Sequence, residues 1–139
     1  MEKQKSITVK TTVNAPVQKV WKCWTLPQHI VNWTHASEDW HAPKAENDLR
    51  IGGRFLTRME AKDGSFGFDF EGTYSNVREN EYIQYSMDDG RKVEIIFTSN
   101  GQLTDISETF DIENQNPESM QRDGWQAILD NFKKYTESN

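Results

Sequence analysis

From Ser6 to Val13 β-branched residues alternate with polar ones, the period of a strand lying on a core. Asn14-Ala15-Pro16 ends it, and Val17, Val20, Trp21 and Trp24 then recur at i, i+3, i+4 and i+7, which predicts a short amphipathic helix with Pro16 in its first turn. Leu26-Pro27 interrupts that stripe. A second short helix is expected over Gln28 to Trp33, with Ile30 and Trp33 turned inward. From Asp39 onward the period becomes two, and Asp63-Gly64, Asp89-Gly90 and Asn100-Gly101 each separate strand-like runs, as hairpin turns do. Strands are expected near 38–45, 53–60, 66–77, 82–88, 92–99 and 102–113, with a turn at Arg78-Glu79-Asn80-Glu81. Asn116 as cap, Pro117 at the first helical position and Glu118 near the positive end of the dipole predict a long closing helix to about Tyr135. Its apolar stripe, Trp125, Ile128, Leu129, Phe132 and Tyr135, needs a large surface to bury it, so the meander must curve around this helix.

Strand parity selects the residues that face the helix. Phe66, Phe68, Phe70 and Tyr74 share one side with Gly72, joined by Phe55, Thr57 and Met59, by Ile83, Tyr85 and Met87, and by Val93, Ile95 and Phe97. This ring-rich interior reads either as an ordinary core or as a pocket. The pocket reading assigns its lining to Phe55, Phe68, Phe70, Tyr85 and Trp125, with Trp33 and Trp40 near the mouth. Glu108 falls in the alternation Ile106, Glu108, Phe110, Ile112, so its carboxyl is expected inside as the one polar anchor of a ligand, or as a general acid or base; a register slip would instead send it to solvent.

Charge and composition narrow the function classes. A chain of 139 residues suits one globular domain, here taken as residues 1–139, and its formal charge of −6 without a basic run disfavours nucleic acid and anionic membrane as partners. Cys23 alone permits neither an internal disulfide nor a thiolate metal cluster. His29, His35 and His41, six apart, lack the i, i+4 pair of a helical zinc site; His41 becomes a candidate acid, base or hydrogen-bonder only if it faces the pocket. Asp48, Arg50 and Arg54 offer forks for an anion but read more simply as surface pairs around Gly52-Gly53, which lacks the context of a phosphate loop. No cofactor or metal is expected. Glu2-Lys3-Gln4-Lys5 is not followed by the apolar run of a secretion signal and no stretch is long enough to span a bilayer, so a cytoplasmic location is expected.

Strand, two short helices, six-strand meander and long final helix is the order of the α+β helix-grip fold, also called START-like. Ala15-Pro16, Val20-Trp21, Trp24-Thr25, Trp33, Asp48-x-Arg50-x-Gly52-Gly53-x-Phe55, Gly72-x-Tyr74, Thr104 and Gly124-Trp125 make the chain resemble the heat-shock-protein ATPase activator family of that superfamily. Trp33-Thr34 departs from the second Trp that many members carry. The resemblance implies a curved antiparallel sheet around the last helix, with a cavity between them in many superfamily members. The leading expectation is a non-enzymatic binder of a small, mostly apolar or aromatic ligand. The alternatives are a protein–protein adaptor acting on a chaperone or on a second copy in a homodimer, and an enzyme of the cyclase or hydrolase kind.

Overall fold

The structure, a computed structural model, describes residues 5–139; Met1 to Gln4, and so most of the polar opening Glu2-Lys3-Gln4-Lys5, lie outside the described residues. Strand β1 (Ser6–Val13) leads into helices α1 (Val17–Thr25) and α2 (Pro27–Trp33). Six strands follow: β2 (Trp40–Asn47), β3 (Arg54–Ala61), β4 (Gly67–Arg78), β5 (Tyr82–Met87), β6 (Lys92–Asn100) and β7 (Leu103–Asp111). Helix α3 (Glu118–Glu137) closes the chain. All seven strands form one antiparallel sheet in the order β1-β7-β6-β5-β4-β3-β2, so the first strand docks on the last and β2 is the opposite edge.

The alternation that predicted these strands decides which face is covered. In β1, Ile7, Val9 and Val13 are buried while their neighbours meet solvent; in β6, Val93, Ile95 and Phe97 behave the same way. These residues join one hydrophobic core with Leu129 and Phe132 of α3. Hydrogen bonds pin the short helices: the Trp33 indole N–H donates to the Cys23 carbonyl at 2.9 Å, and from β7 the buried Thr104 hydroxyl donates to the Ala15 carbonyl, just before α1, at 2.8 Å. Several residues quoted for the family resemblance are therefore structural ties.

Three expectations need correction. Pro16 and Pro117 are each the extended residue before a helix, the N-cap, so neither occupies the first helical turn. Asn116 does not cap α3: its amide group donates to Glu113 Oε1 at 2.7 Å, while Gln121 donates to the Glu113 and Asn116 carbonyls and ties the loop to the helix. Phe66 is not inward but 63% exposed, because β4 starts one residue later and the hairpin tip leaves the ring beside Trp40.

Parity also breaks within β4, where the register against β5 shifts between Tyr74 and Asn76 and returns Val77 to the inner side. Before β3, Gly53 sits so close to the Asp48 carbonyl oxygen that an added Cβ would lie 2.1 Å from it, and Asp48 and Arg50 pair at 3.0 Å across the same turn. Gly53→Ala is expected to cost about 3 kcal/mol or more, whereas Gly124→Ala, where nothing lies within 4 Å in the middle of α3, should gain about 0.5–1 kcal/mol. Urea unfolding of both variants checks this, and equal effects would mean that the turn yields.

Candidate functional site

Between the concave face of the sheet and α3 lies a cavity of about 400 Å³. Phe55, Thr57 and Met59 of β3, Phe68, Phe70 and Tyr74 of β4, and Ile83, Tyr85 and Met87 of β5 form one wall. Trp125, Ile128 and Leu129 of α3 form the other, with Trp24, Ile30 and Trp33 from the two short helices. Trp125 and Ile128 are only half-buried, although they lie on the apolar stripe, because they face this space.

The rings hold one another in place. Phe55 stands edge-on to Tyr85 with centroids 4.7 Å apart, and Gly72 makes room for it, since a Cβ there would come within 3.0 Å of the Phe55 ring. Trp125 stacks on Phe110 at 4.2 Å and an interplanar angle of 9°, which fixes its orientation. Phe132 fits between Trp24 and Trp33, at 4.8 and 4.9 Å, on the α1–α2 side. Exposed lining residues, among them Phe68 at 41% and Met120 at 59%, mark an opening between the start of β4 and the first turn of α3.

Glu108 lies inside, as its parity predicts. It is 7% exposed, flanked on its strand by Ile106 and Phe110 and paired through its backbone with Val9 and Ile95. Among the described residues no hydrogen bond or ion pair reaches its carboxyl. Burial alone therefore acts on it and pushes its pKa up to about 8. Burial likewise holds the Tyr85 phenol well above its usual range, with the nearby Glu108 carboxyl adding to the effect. Tyr74, by contrast, donates its hydroxyl to Asn47 Oδ1 at 2.5 Å.

Seven of the eight expected site residues line the cavity: Trp33, Phe55, Phe68, Phe70, Tyr85, Glu108 and Trp125. Trp33 is not at the mouth; it is buried against Phe132 and Trp24. Trp40 stands outside the lining, its ring 6.1 Å from Phe68. Arg91 and Gln121 were missed. Arg91 follows a turn, where period two no longer applies, and left no signal. Gln121 did leave one, for it lies four residues before Trp125 on the apolar stripe of α3 and is buried there.

The other candidates lie elsewhere. Arg54 pairs with Glu71 and Asp88 on the outer face, at 3.0 and 3.1 Å. His41 is 3.8 Å from Glu60 and His29 bonds the Tyr135 hydroxyl at 2.6 Å; neither lines the cavity. Among the described residues no group of three His, Cys, Asp or Glu converges on a metal position, and no helix is long and apolar enough to cross a membrane.

A sheet curved around its last helix, with two short helices after the first strand, defines the class: a helix-grip domain of the START-like, or SRPBCC, superfamily. Within it, the chain belongs to the family of Activator of Hsp90 ATPase homolog 1-like proteins, whose profile matches residues 14–137. It is similar to the AHSA1-like protein from Aeromonas hydrophila, solved in solution, at 42% identity over 96% of this chain and 93% of that one, with a TM-score of 0.90. The solution structure of Chr148 from Cytophaga hutchinsonii is 54% identical over the same shares, with a TM-score of 0.83. Protein CV1439 from Chromobacterium violaceum, at 22% identity over 96% of this chain and 98% of that one, shares the fold with a TM-score of 0.86. None of the curated proteins compared with the chain matches it.

Proposed function

We propose that this protein binds a small, mostly apolar molecule in the cavity between sheet and α3, without transforming it. One observation carries the reading: about 400 Å³ of ring-lined space at the centre of the fold. At about 24 cal/mol per Å³, a dry void of that size would cost on the order of 10 kcal/mol, the whole net stability of a typical domain. Such a space is sustained only if water or a ligand fills it, and its mostly aromatic and aliphatic walls favour the ligand. Among the described residues the cavity lining offers one buried, unpaired acid and no Ser, Cys or Lys nucleophile beside a base, which supports binding over catalysis.

Against a library of apolar and aromatic compounds, a ligand at one hundred times its Kd should stabilise the fold by roughly 2.7 kcal/mol. Trp125 fluorescence should change with the same midpoint. Thermal shifts without a Trp response, or none at all, would place binding outside the cavity or remove it. A partner-binding role has a second, weaker footing in the exposed rings of Phe66 and Phe68 beside Trp40.

A further inference from the structure

Two ionisable side chains in the cavity wall have no hydrogen-bond partner among the described residues, and the buried Thr57 hydroxyl beside the same space has none either. Glu108 on β7 and Tyr85 on β5 are each 7% exposed and line the cavity. Among the described residues neither side-chain oxygen has a hydrogen-bond partner, and they do not bond each other, although they lie near enough for the carboxyl to act on the phenol. The backbone beside them offers no relief, since β5 and β7 each pair with neighbours on both sides. The Glu108 and Tyr85 side-chain oxygens open onto the cavity rather than being sealed from it, so whatever fills that space completes their hydrogen bonding.

The kind of molecule follows from what the two groups are able to do. The remaining ionisable lining residues are engaged elsewhere: Tyr74 with Asn47, Arg91 with Asp89 at 2.7 Å, Glu113 with Asn116, and Glu46 facing Lys44 at the edge strand. Among the described residues no cation pairs with the Glu108 carboxyl, and burial favours its protonated form at neutral pH. The wall therefore presents the O–H donors of Glu108 and Tyr85, besides the hydroxyl of Thr57. A carbonyl oxygen, with two lone pairs, satisfies both, whereas an amine would have to create an ion pair and desolvate both charges.

We propose that the cavity selects an uncharged, apolar molecule bearing a carbonyl oxygen, which accepts hydrogen bonds from the Glu108 carboxyl and the Tyr85 hydroxyl. The inference rests on the cavity reading above and names the ligand chemistry of the same site.

Calorimetric titration with three matched probes tests it: 2-acetylnaphthalene, its hydrocarbon isostere 2-isopropenylnaphthalene, and 1-(2-naphthyl)ethylamine. At pH 6 the ketone should bind about tenfold more tightly than the hydrocarbon, the worth of a net hydrogen bond or two. At pH 9, where Glu108 has lost its proton, that advantage should fall toward parity. Glu108→Leu should remove it at both pH values, Tyr85→Phe should reduce it severalfold, and Glu108→Gln should keep it at both, because the amide still donates. Parity of ketone and hydrocarbon at pH 6, tightest binding of the amine, or an advantage that survives Glu108→Leu would overturn the carbonyl assignment and leave the cavity reading standing. If none of the three binds, the cavity reading falls and the assignment with it.

Discussion

Replacing Glu108 by Gln should stabilise the protein by about 3 kcal/mol at pH 7 and change it little at pH 4.5. The carboxyl ionises near 4.5 in an unfolded chain and near 8 inside the fold. Below pH 4.5 both states carry the proton and the residue costs nothing through its charge. Between 4.5 and 8 the unfolded chain gives up its proton while the folded one keeps it, so each pH unit removes about 1.4 kcal/mol of stability. Above pH 8 the penalty levels off at on the order of 4–5 kcal/mol. This acid thus weakens the fold as pH rises, the reverse of a salt-bridged carboxylate, and Gln lacks the dependence. Chemical denaturation of both proteins from pH 4.5 to 8.5 measures it. A gap between them that does not widen with pH would show that Glu108 reaches water in solution.

Phe132→Ala should have the largest destabilising effect, about 4 kcal/mol and a fall in Tm of roughly 10–20 °C. The ring is fully buried and sits edge-on to both Trp24 and Trp33, so its loss opens a void where α3 meets α1 and α2. Phe66→Ala, at the exposed hairpin tip, should cost well under 1 kcal/mol. Thermal unfolding followed by Trp emission compares the two, and similar costs would mean that α1 and α2 do not hold this helix tightly.

Much of this arrangement was legible in the chain because burial here follows simple periods. The alternation Ile106, Glu108, Phe110 runs through a strand without a bulge, so parity alone put the acid inside. The same counting failed at Phe66, where a one-residue difference in the start of β4 leaves the ring on a turn. Beyond Tyr74 a bulge shifts the phase, so the same counting does not extend to the end of the strand, and a bulge leaves no mark in a polar run such as Ser75-Asn76. Trp33 illustrates another limit. Periodicity turns its indole inward but does not say that the hydrogen bond to Cys23 holds it buried against Trp24 and Phe132. Arg91 enters the wall from a loop, and loop side chains follow no period.

The pairing of β1 with β7 has a consequence for how the chain acquires its shape. Thr12 bonds Asp105, 93 residues further on, and Thr8 bonds Thr109, 101 residues on. During synthesis the first strand therefore waits for nearly the whole domain before β7, its sheet partner, exists, its β-branched, half-apolar edge unpaired meanwhile. The hairpins from β3 to β7 close locally and early; the seam between β1 and β7 closes late, at the loop-entropy cost that makes high contact order slow. Until then the hazard of the nascent chain lies in its opening strand, which is the segment a chaperone would have most reason to shield.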